Sequence, residues 1–357
     1  MTQERLNKII ESHQHYLNKD IDGWESMRAD LSYKNLSGLD LSNANLYRVN
    51  LRKANLRDAN LRDANLSCAN LRKADLSSAD LNKADLTYAD LRKADLRNAD
   101  LREADLRKAD LRNADLGKAD LSRADLRNAE LSEANLRNAN LSNADLAYAD
   151  LAYADLRNAE LREANLYRAC CLYTNLGRVD LSNAYLRDAD LYSAFCCYTN
   201  LYGVDLRSAD LRDANLSGAD LRKADLREAN LRNAYLSGTN LSEDTKIDCP
   251  IACPETGSFI GYKKAICKKI VKLQICEDAK RSSATTKKCR CSKALVLAIE
   301  NMDGFDSRLQ EIESRYDPCF IYRVGEIAEV PDFDNDRWNE CAPGIHFFMD
   351  RQDAVEY

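Results

Sequence analysis

The sequence predicts a mainly β protein, in which a long solenoid of short coils follows one N-terminal helix and precedes a small α+β domain. Three observations carry this prediction. A leucine recurs at every fifth position from Leu31 to Leu241, and only Cys171 and Cys196 replace it. Residues 3–18 place apolar side chains at helical spacing. Beyond residue 257, short β-branched and aromatic runs alternate with turn residues.

The repeated unit is A-(D/N)-L-X-X, and its five-residue period fits neither an α-helix nor a straight strand. On a helix the leucines would wind around the axis, and on a strand they would alternate between the two faces. A chain that turns a corner every five residues instead buries both Leu and Ala. Four corners make a square coil, so we predict stacked coils whose Asp and Asn residues shape the corners.

The stretch LRKADLRNADLREADLRKADLRNADL at residues 91–116 resembles the pentapeptide-repeat proteins. The resemblance covers residues 31–241 and implies the right-handed quadrilateral β-helix of that family. Because some members protect type II topoisomerases by mimicking DNA, it also implies a DNA-mimic regulator as an alternative function. Residues 31–240 hold 31 Lys and Arg against 31 Asp and Glu, so the repeat is not an overall polyanion.

The N-terminal domain is predicted at residues 1–30, with the repeat domain at 31–242. Leu6, Ile9, Ile10, His13 and Leu17 fall on one side of the predicted helix over residues 3–18. Since a solenoid end exposes apolar side chains, we expect this helix to cap the first coil. Trp24 is the expected plug.

A linker is predicted at residues 243–256 and an α+β domain of unknown function at 257–357. Strands are expected over residues 268–275, 293–299, 319–330 and 344–348, and a helix over 350–357. Much of this region resembles an uncharacterised domain that follows pentapeptide repeats in bacterial, phage and large-virus proteins. The segment GIHFFMDRQDAVEY, which contains His346, resembles one segment of the ADP-ribosyltransferase fold. A small enzyme of that type is therefore a second alternative.

Aromatic residues replace small or polar ones on the outward positions of two adjacent faces. When the corners are counted in fours from Leu31, three tyrosines fall on the fourth face and three on the first, which predicts a cluster along one edge. We expect Tyr153 and Tyr173, one coil apart, to stack. Exposed tyrosines suit protein binding, although ring stacking that only stabilises the coils also explains them. The six candidate residues are Tyr148, Tyr153, Tyr167, Tyr173, Tyr185 and Tyr192.

The sequence contains no phosphate-binding loop, dinucleotide fingerprint or nucleophile elbow, so a non-enzymatic protein-interaction scaffold is expected, without cofactor. The cysteines beginning at Cys249 and Cys289 lack the paired C-x2-C spacing of a zinc ribbon, and no metal is expected. No apolar run is long enough for a membrane span. We expect a cytoplasmic protein that binds a protein partner, with no membrane and no direct nucleic-acid contact. The identity of the partner and the oligomeric state stay open.

Overall fold

The computed structural model describes residues 1–248, 252–339 and 342–357. Cys249 and Cys341, two of the cysteines considered for a metal site, lie outside these ranges. The chain forms two compact units. The first comprises Met1–Leu231 and Thr239–Asp248, and the second comprises Arg232–Gly238 and Cys249–Tyr357.

The first unit is a stack of coils joined by parallel β-bridges between residues twenty positions apart. The series runs from Asp30↔Asn50 to Asp220↔Asn240. Two short parallel strands end it, β1 (Asp225–Leu226) and β2 (Lys246–Ile247). Each coil therefore contains four five-residue units, and equivalent side chains of successive coils form columns along the stack.

The unit at residues 95–99 shows why this sequence turns a corner. The backbone N–H of Arg97 donates to Asp95 Oδ1 at 3.1 Å, and Ala99 N–H donates to the Leu96 carbonyl at 3.1 Å. The residue between them, Asn98, has a φ of 57°. An Asp or Asn side chain that accepts from the backbone two residues later favours such a turn. The expectation that Asp and Asn shape the corners is confirmed.

The core of the stack consists of the central Leu and the Ala of each unit. Leu96 is 0% exposed and Ala99 1% exposed. Cys171 and Cys196, which replace the central leucine, are also buried, as the pattern predicts. Because the N–H of the central Leu donates to a carbonyl of the next coil through most of the stack, for example Leu96 N–H to Asp115 at 2.7 Å, the backbone is satisfied without long strands.

Helix α1 (Gln3–Asn18) packs on the first coils, and it has the bounds that the sequence predicts. Leu6 and His13 are fully buried. His13 Nδ1 accepts from the backbone of Ala29 at 3.2 Å, and Nε2 donates to the Tyr47 carbonyl at 3.1 Å. Trp24 was expected as the plug, but this was wrong: it is half-exposed in a short 3-10 turn and packs on Tyr16 instead.

The second unit contains nine strands and one α-helix within its described residues. The strands are β3 (Phe259–Ala265), β4 (Lys269–Ile275), β5 (Arg281–Ser283), β6 (Lys288–Cys291), β7 (Lys293–Asn301), β8 (Glu311–Glu313), β9 (Ile321–Arg323), β10 (Ile327–Glu329) and β11 (Ile345–Phe348). Seven of them form one sheet with the order β10-β7-β4-β3-β11-β6-β5, in which neighbouring strands are antiparallel. The other two, β8 and β9, form a separate hairpin, and helix α2 (Arg351–Glu356) packs against β3 and β11.

One predicted strand is wrong in detail. Residues 319–330 form two strands rather than one, because the chain turns at Gly325, where φ is 85°. The first, β9, pairs with β8, whereas β10 joins the edge of the large sheet. The strands β3, β5, β6 and β8 lie outside the segments that the sequence predicts. Within the described residues, no helix combines the length and the apolar character that a membrane crossing requires.

Candidate functional site: the tyrosine surface

The six candidate tyrosines lie on two adjacent faces of the stack, and Tyr153 and Tyr173 occupy equivalent positions of successive coils. We call this group the tyrosine surface: Tyr148, Tyr153, Tyr167, Tyr173, Tyr185 and Tyr192. The rings of Tyr153 and Tyr173 stack as predicted, with centroids 5.1 Å apart and planes inclined by 7°. Tyr148 meets Tyr167 edge-on at 5.5 Å, and Tyr173 meets Tyr192 edge-on at 5.7 Å.

Most of these rings remain open to solvent despite their contacts. Tyr153 is 62% exposed and Tyr173 42% exposed, and Tyr148 and Tyr185 are exposed too, whereas Tyr167 and Tyr192 are half-buried. Burial, followed by the neighbouring Tyr192 hydroxyl, raises the pKa of Tyr173, so its phenol is neutral at physiological pH. The surface thus offers uncharged rings with hydroxyl groups that donate and accept hydrogen bonds.

Outside the tyrosine surface, the same two faces carry a ladder of arginines and carboxylates. Arg107 donates from Nη2 to Asp105 Oδ2 at 2.6 Å, and its Nε lies 3.6 Å from Asp125 of the next coil. Arg127 repeats the arrangement with Asp125 at 2.6 Å and Asp145 at 3.6 Å. Each arginine therefore joins two coils, and the carboxylates stacked along the column are neutralised.

The ladder stops where the tyrosines begin. After Arg127, the equivalent position of the next two coils is occupied by Ala147 and Tyr167, and arginine returns at Arg187. On the adjacent column, Arg112 is followed by Ser132, Ala152, Leu172 and Tyr192 before Arg212. Since the columns are defined by the twenty-residue bridges, the two-coil gap of the first column falls within the range of the four-coil gap of the second. A charged surface is replaced there by an aromatic and aliphatic one.

Two cations border this surface. The Arg168 guanidinium lies 5.3 Å from the centroid of the Tyr167 ring, and Arg212 lies 5.4 Å from that of Tyr192. Tyr185 belongs to a neighbouring shallow depression that also includes Tyr167, Glu163 and Arg187. Aromatic rings rimmed by charged groups are typical of protein-binding surfaces.

Two further exposed aromatic residues, Phe195 and Tyr198, were not among the candidates that the sequence indicated. Phe195 is 53% exposed and Tyr198 69% exposed, and a Cβ at Gly218 would lie 2.7 Å from the Tyr198 ring. The replacement of Asn or Asp by Phe195 in the repeated unit was the available signal. Tyr33 and Tyr88 are also exposed, but each packs under a lysine, Lys53 and Lys108 respectively, rather than against a second ring.

His346, the residue behind the ADP-ribosyltransferase alternative, lies on β11 opposite Arg290. Burial is the largest cause that lowers the pKa of His346 to about 3, and the charges of Lys263, Lys288 and Arg290 lower it further. Its Nε2 has no hydrogen-bond partner among the described residues. The imidazole is therefore neutral at physiological pH, and the enzymatic alternative stays a prediction.

Comparison with known protein families decides the identity of the first unit. A family model described as pentapeptide repeats matches residues 27–63, 64–102, 104–143, 139–183, 169–207 and 209–243. The chain belongs to the pentapeptide-repeat family. A second model, a family of unknown function called DUF5758, matches residues 249–354. The resemblance to pentapeptide-repeat proteins and the resemblance of the C-terminal region to an uncharacterised domain that follows such repeats are confirmed. No protein with a curated description matches this pentapeptide-repeat protein.

Several solved structures of pentapeptide-repeat proteins are similar to this one. HetL, involved in heterocyst differentiation regulation in Nostoc sp. strain PCC 7120, is 36% identical; the match covers 62% of this chain and 92% of HetL, with a TM-score of 0.48. Rfr23 from Cyanothece 51142 is 36% identical over 29% of this chain and 64% of its own, with a TM-score of 0.15. QnrB1, a plasmid-mediated fluoroquinolone resistance protein, is 17% identical over 59% and 90%, with a TM-score of 0.24.

Proposed function

We propose that this pentapeptide-repeat protein is a non-enzymatic interaction scaffold that binds a protein partner through the tyrosine surface. The observation that carries the proposal is that exposed rings lie directly beside two overlapping gaps in the Arg–carboxylate ladder. Arginine is absent from two neighbouring columns, and the stacked, solvent-exposed Tyr153 and Tyr173 each follow a residue of one of these gaps in the chain. If the rings only stabilised the contact between coils, arginine could have remained on both columns beside them.

The proposed scaffold is a right-handed quadrilateral β-helix carrying a C-terminal α+β domain, with domain limits at residues 31–242 and 257–357. Four five-residue units between bridged residues support the four-sided cross-section, and the family resemblance supports the handedness. A crystal structure of the full chain tests both. A rigid array of coils suits a scaffold, because the six tyrosines are ordered before binding and lose little conformational entropy.

The charge distribution favours protein binding over DNA mimicry. A DNA mimic needs a continuous row of carboxylates without counter-charges. Here Asp105, Asp125 and Asp205 each accept a bidentate pair of hydrogen bonds from an arginine two residues later. The hydrogen bond from Arg207 is the main cause that lowers the pKa of Asp205, so this pair is fully ionised at neutral pH.

Affinity capture with the full chain as bait tests the proposal. The variant Tyr153→Ser/Tyr173→Ser removes the stacked pair, and Tyr33→Ser/Tyr88→Ser makes the same change at exposed tyrosines outside the tyrosine surface. A stoichiometric partner that is retained by the wild type and the control, but lost from the first variant, supports the assignment. A partner retained by both variants places binding elsewhere on the chain.

A further inference from the structure

A pocket of about 530 Å³ lies in the second unit, between the sheet and the segments that surround the β8–β9 hairpin. Small-molecule sites in proteins typically measure about 300–1,000 Å³. Phe320, Val330 and Ile345 contribute apolar walls, and Tyr322, which is 1% exposed, contributes a buried ring. The pocket is thus large enough for a small organic molecule, and it offers both apolar and polar walls.

Lys263 lines this pocket and is only 7% exposed. It lies on β3, where the alternation of the strand places it on the same buried face as Gly261 and Ala265. Its Nζ makes one long hydrogen bond, 3.4 Å to the His346 carbonyl, and lies 5.9 Å from the Tyr322 ring centroid. Within residues 1–248, 252–339 and 342–357, no carboxylate approaches Nζ to within salt-bridge distance. The charged form of this amine is therefore buried without a counter-charge.

Burial of the amine is the main cause that lowers the pKa of Lys263 to about 8. Among its neighbours on β6, the Lys288 charge lowers the pKa further, whereas Cys291 raises it. An ordinary lysine has a pKa near 10.4, so its neutral fraction at pH 7 is about two hundredfold smaller. A neutral primary amine is a nucleophile, and carbonyl compounds are its usual reaction partners.

We propose that Lys263 forms a reversible imine with a small, uncharged aldehyde that has an apolar or aromatic body. Three exposed carboxylates, Asp317, Glu329 and Asp332, stand among the lining residues and disfavour an anionic ligand. The walls of Phe320 and Tyr322 suit an aromatic one. This carbonyl-binding site is independent of the tyrosine surface and does not require that the protein turn over a substrate.

The reaction balances without an oxidant or a reductant. The Nζ lone pair attacks the aldehyde carbon, and a C–N bond forms while the carbonyl oxygen takes up a proton. The resulting carbinolamine loses that oxygen as water together with the amine proton, and a C=N bond replaces the C=O bond. Addition of water reverses the sequence and releases the aldehyde.

Reductive trapping on the full chain tests the proposal. The protein is incubated with benzaldehyde and sodium cyanoborohydride at pH 7, and the benzylated lysines are quantified by peptide mass spectrometry. The exposed lysines Lys268 and Lys280 serve as internal references. We expect Lys263 to be labelled roughly tenfold faster than either reference. This factor is smaller than the difference in neutral fraction, because the pocket restricts access of the aldehyde to Lys263. Labelling of Lys263 at or below the reference rate overturns the proposal.

Two further arms test the pocket itself. Val330→Trp, which fills the pocket, should reduce labelling of Lys263 at least fivefold and leave Lys268 and Lys280 unchanged. The anionic probe 4-formylbenzoate should label Lys263 more slowly than benzaldehyde does, relative to the same references. If Val330→Trp leaves the rate at Lys263 unchanged, the aldehyde does not reach Lys263 through this pocket, and the proposed site is wrong. A Lys263→Met variant should lose the label at this position. If that variant fails to fold, the comparison of Lys263 with Lys268 and Lys280 in the wild-type protein still tests the proposal.

Discussion

The Tyr153 and Tyr173 rings lie 5.1 Å apart and nearly parallel, one coil above the other. Their backbones occupy equivalent positions of units separated by twenty residues, and each has a positive φ, 59° and 53° respectively. The corner therefore points both side chains in the same direction, and the coil spacing of roughly 4.8 Å brings the rings to stacking distance.

A double-mutant cycle on this pair separates stacking from binding. We expect Tyr153→Ser and Tyr173→Ser to couple by about 0.5 kcal/mol in the free energy of unfolding, at the low end for aromatic pairs because the rings are exposed. Urea denaturation followed by circular dichroism measures it. The pair Tyr33 and Tyr88, which do not touch each other's rings, should show no coupling. A coupling of several kcal/mol would make the pair primarily structural.

Two buried threonines follow the units in which cysteine takes the place of the central leucine. Each should stabilise the stack of coils through one hydrogen bond. Thr174 and Thr199 are fully buried, and their Oγ1 atoms donate to the carbonyls of Leu151 and Leu176 at 2.8 Å and 2.7 Å. Thr174→Val keeps the side-chain shape and removes the donor. We expect a loss of about 1 kcal/mol, because the Leu151 carbonyl still accepts from Ala154 N–H. Thr199→Val is the matched repeat of the experiment, and no loss in either variant would contradict the assigned bonds.

The N-terminal helix should loosen as the pH falls below about 6.5, the ordinary pKa of histidine. Burial, with the Arg28 charge adding to it, lowers the pKa of His13 in the folded state. The unfolded state therefore binds the proton first, and the stability contributed by neutral His13 is present above pH 6.5 and lost as the pH falls through the folded pKa. Protonation also removes the acceptor used by Ala29 N–H.

Hydrogen exchange of α1 at pH 7 and pH 5, corrected for the intrinsic rates, measures this effect. We expect reduced protection at pH 5 in the wild type and a smaller change in His13→Gln, which keeps a donor and an acceptor but does not titrate. His15→Gln is the control, because that residue is more exposed and pairs with Asp20. Equal pH dependence in wild type and His13→Gln would exclude His13 as the titrating group.

Gly261→Ala should destabilise the second unit by about 1–3 kcal/mol through overpacking. An added Cβ would lie 2.5 Å from the Phe347 ring, which is fully buried. Phe347→Leu removes the ring, so the double variant should be less destabilised than the sum of the two single variants. Thermal unfolding of the three variants checks this. Additive effects would show that Gly261 and Phe347 do not share the tight contact.

The residues that sequence analysis placed well are those whose surroundings repeat. Leu, Ala and Asp or Asn occupy the same environment in every unit, so the period alone predicts their burial and their role at the corners. The stacking of Tyr153 on Tyr173 could be predicted from the sequence for the same reason, since the two residues are twenty positions apart. In the second unit, the predicted strand over residues 293–299 appears as β7, because its apolar alternation is local.

The residues that sequence analysis missed depend on partners distant in the chain. Lys263 is followed by another lysine, yet β3 lies between β4 and β11, and its alternating face is buried. Residues 319–330 were one apolar run, but the two halves found different partner strands. His13 was placed on the apolar face of α1, but its two backbone partners could not be named.

By itself, the sequence determined the coil architecture, because a period of five with two apolar positions can bury them only at corners. It also determined where the aromatic side chains interrupt the charged columns. Only the tertiary structure decided the ladder that links Arg107 to Asp125, the capping contacts of His13 and the burial of Lys263. The physical reason is that each repeated unit is surrounded by copies of itself, so its sequence encodes its surroundings. The antiparallel sheet of the second unit instead brings together strands whose pairing no local pattern encodes.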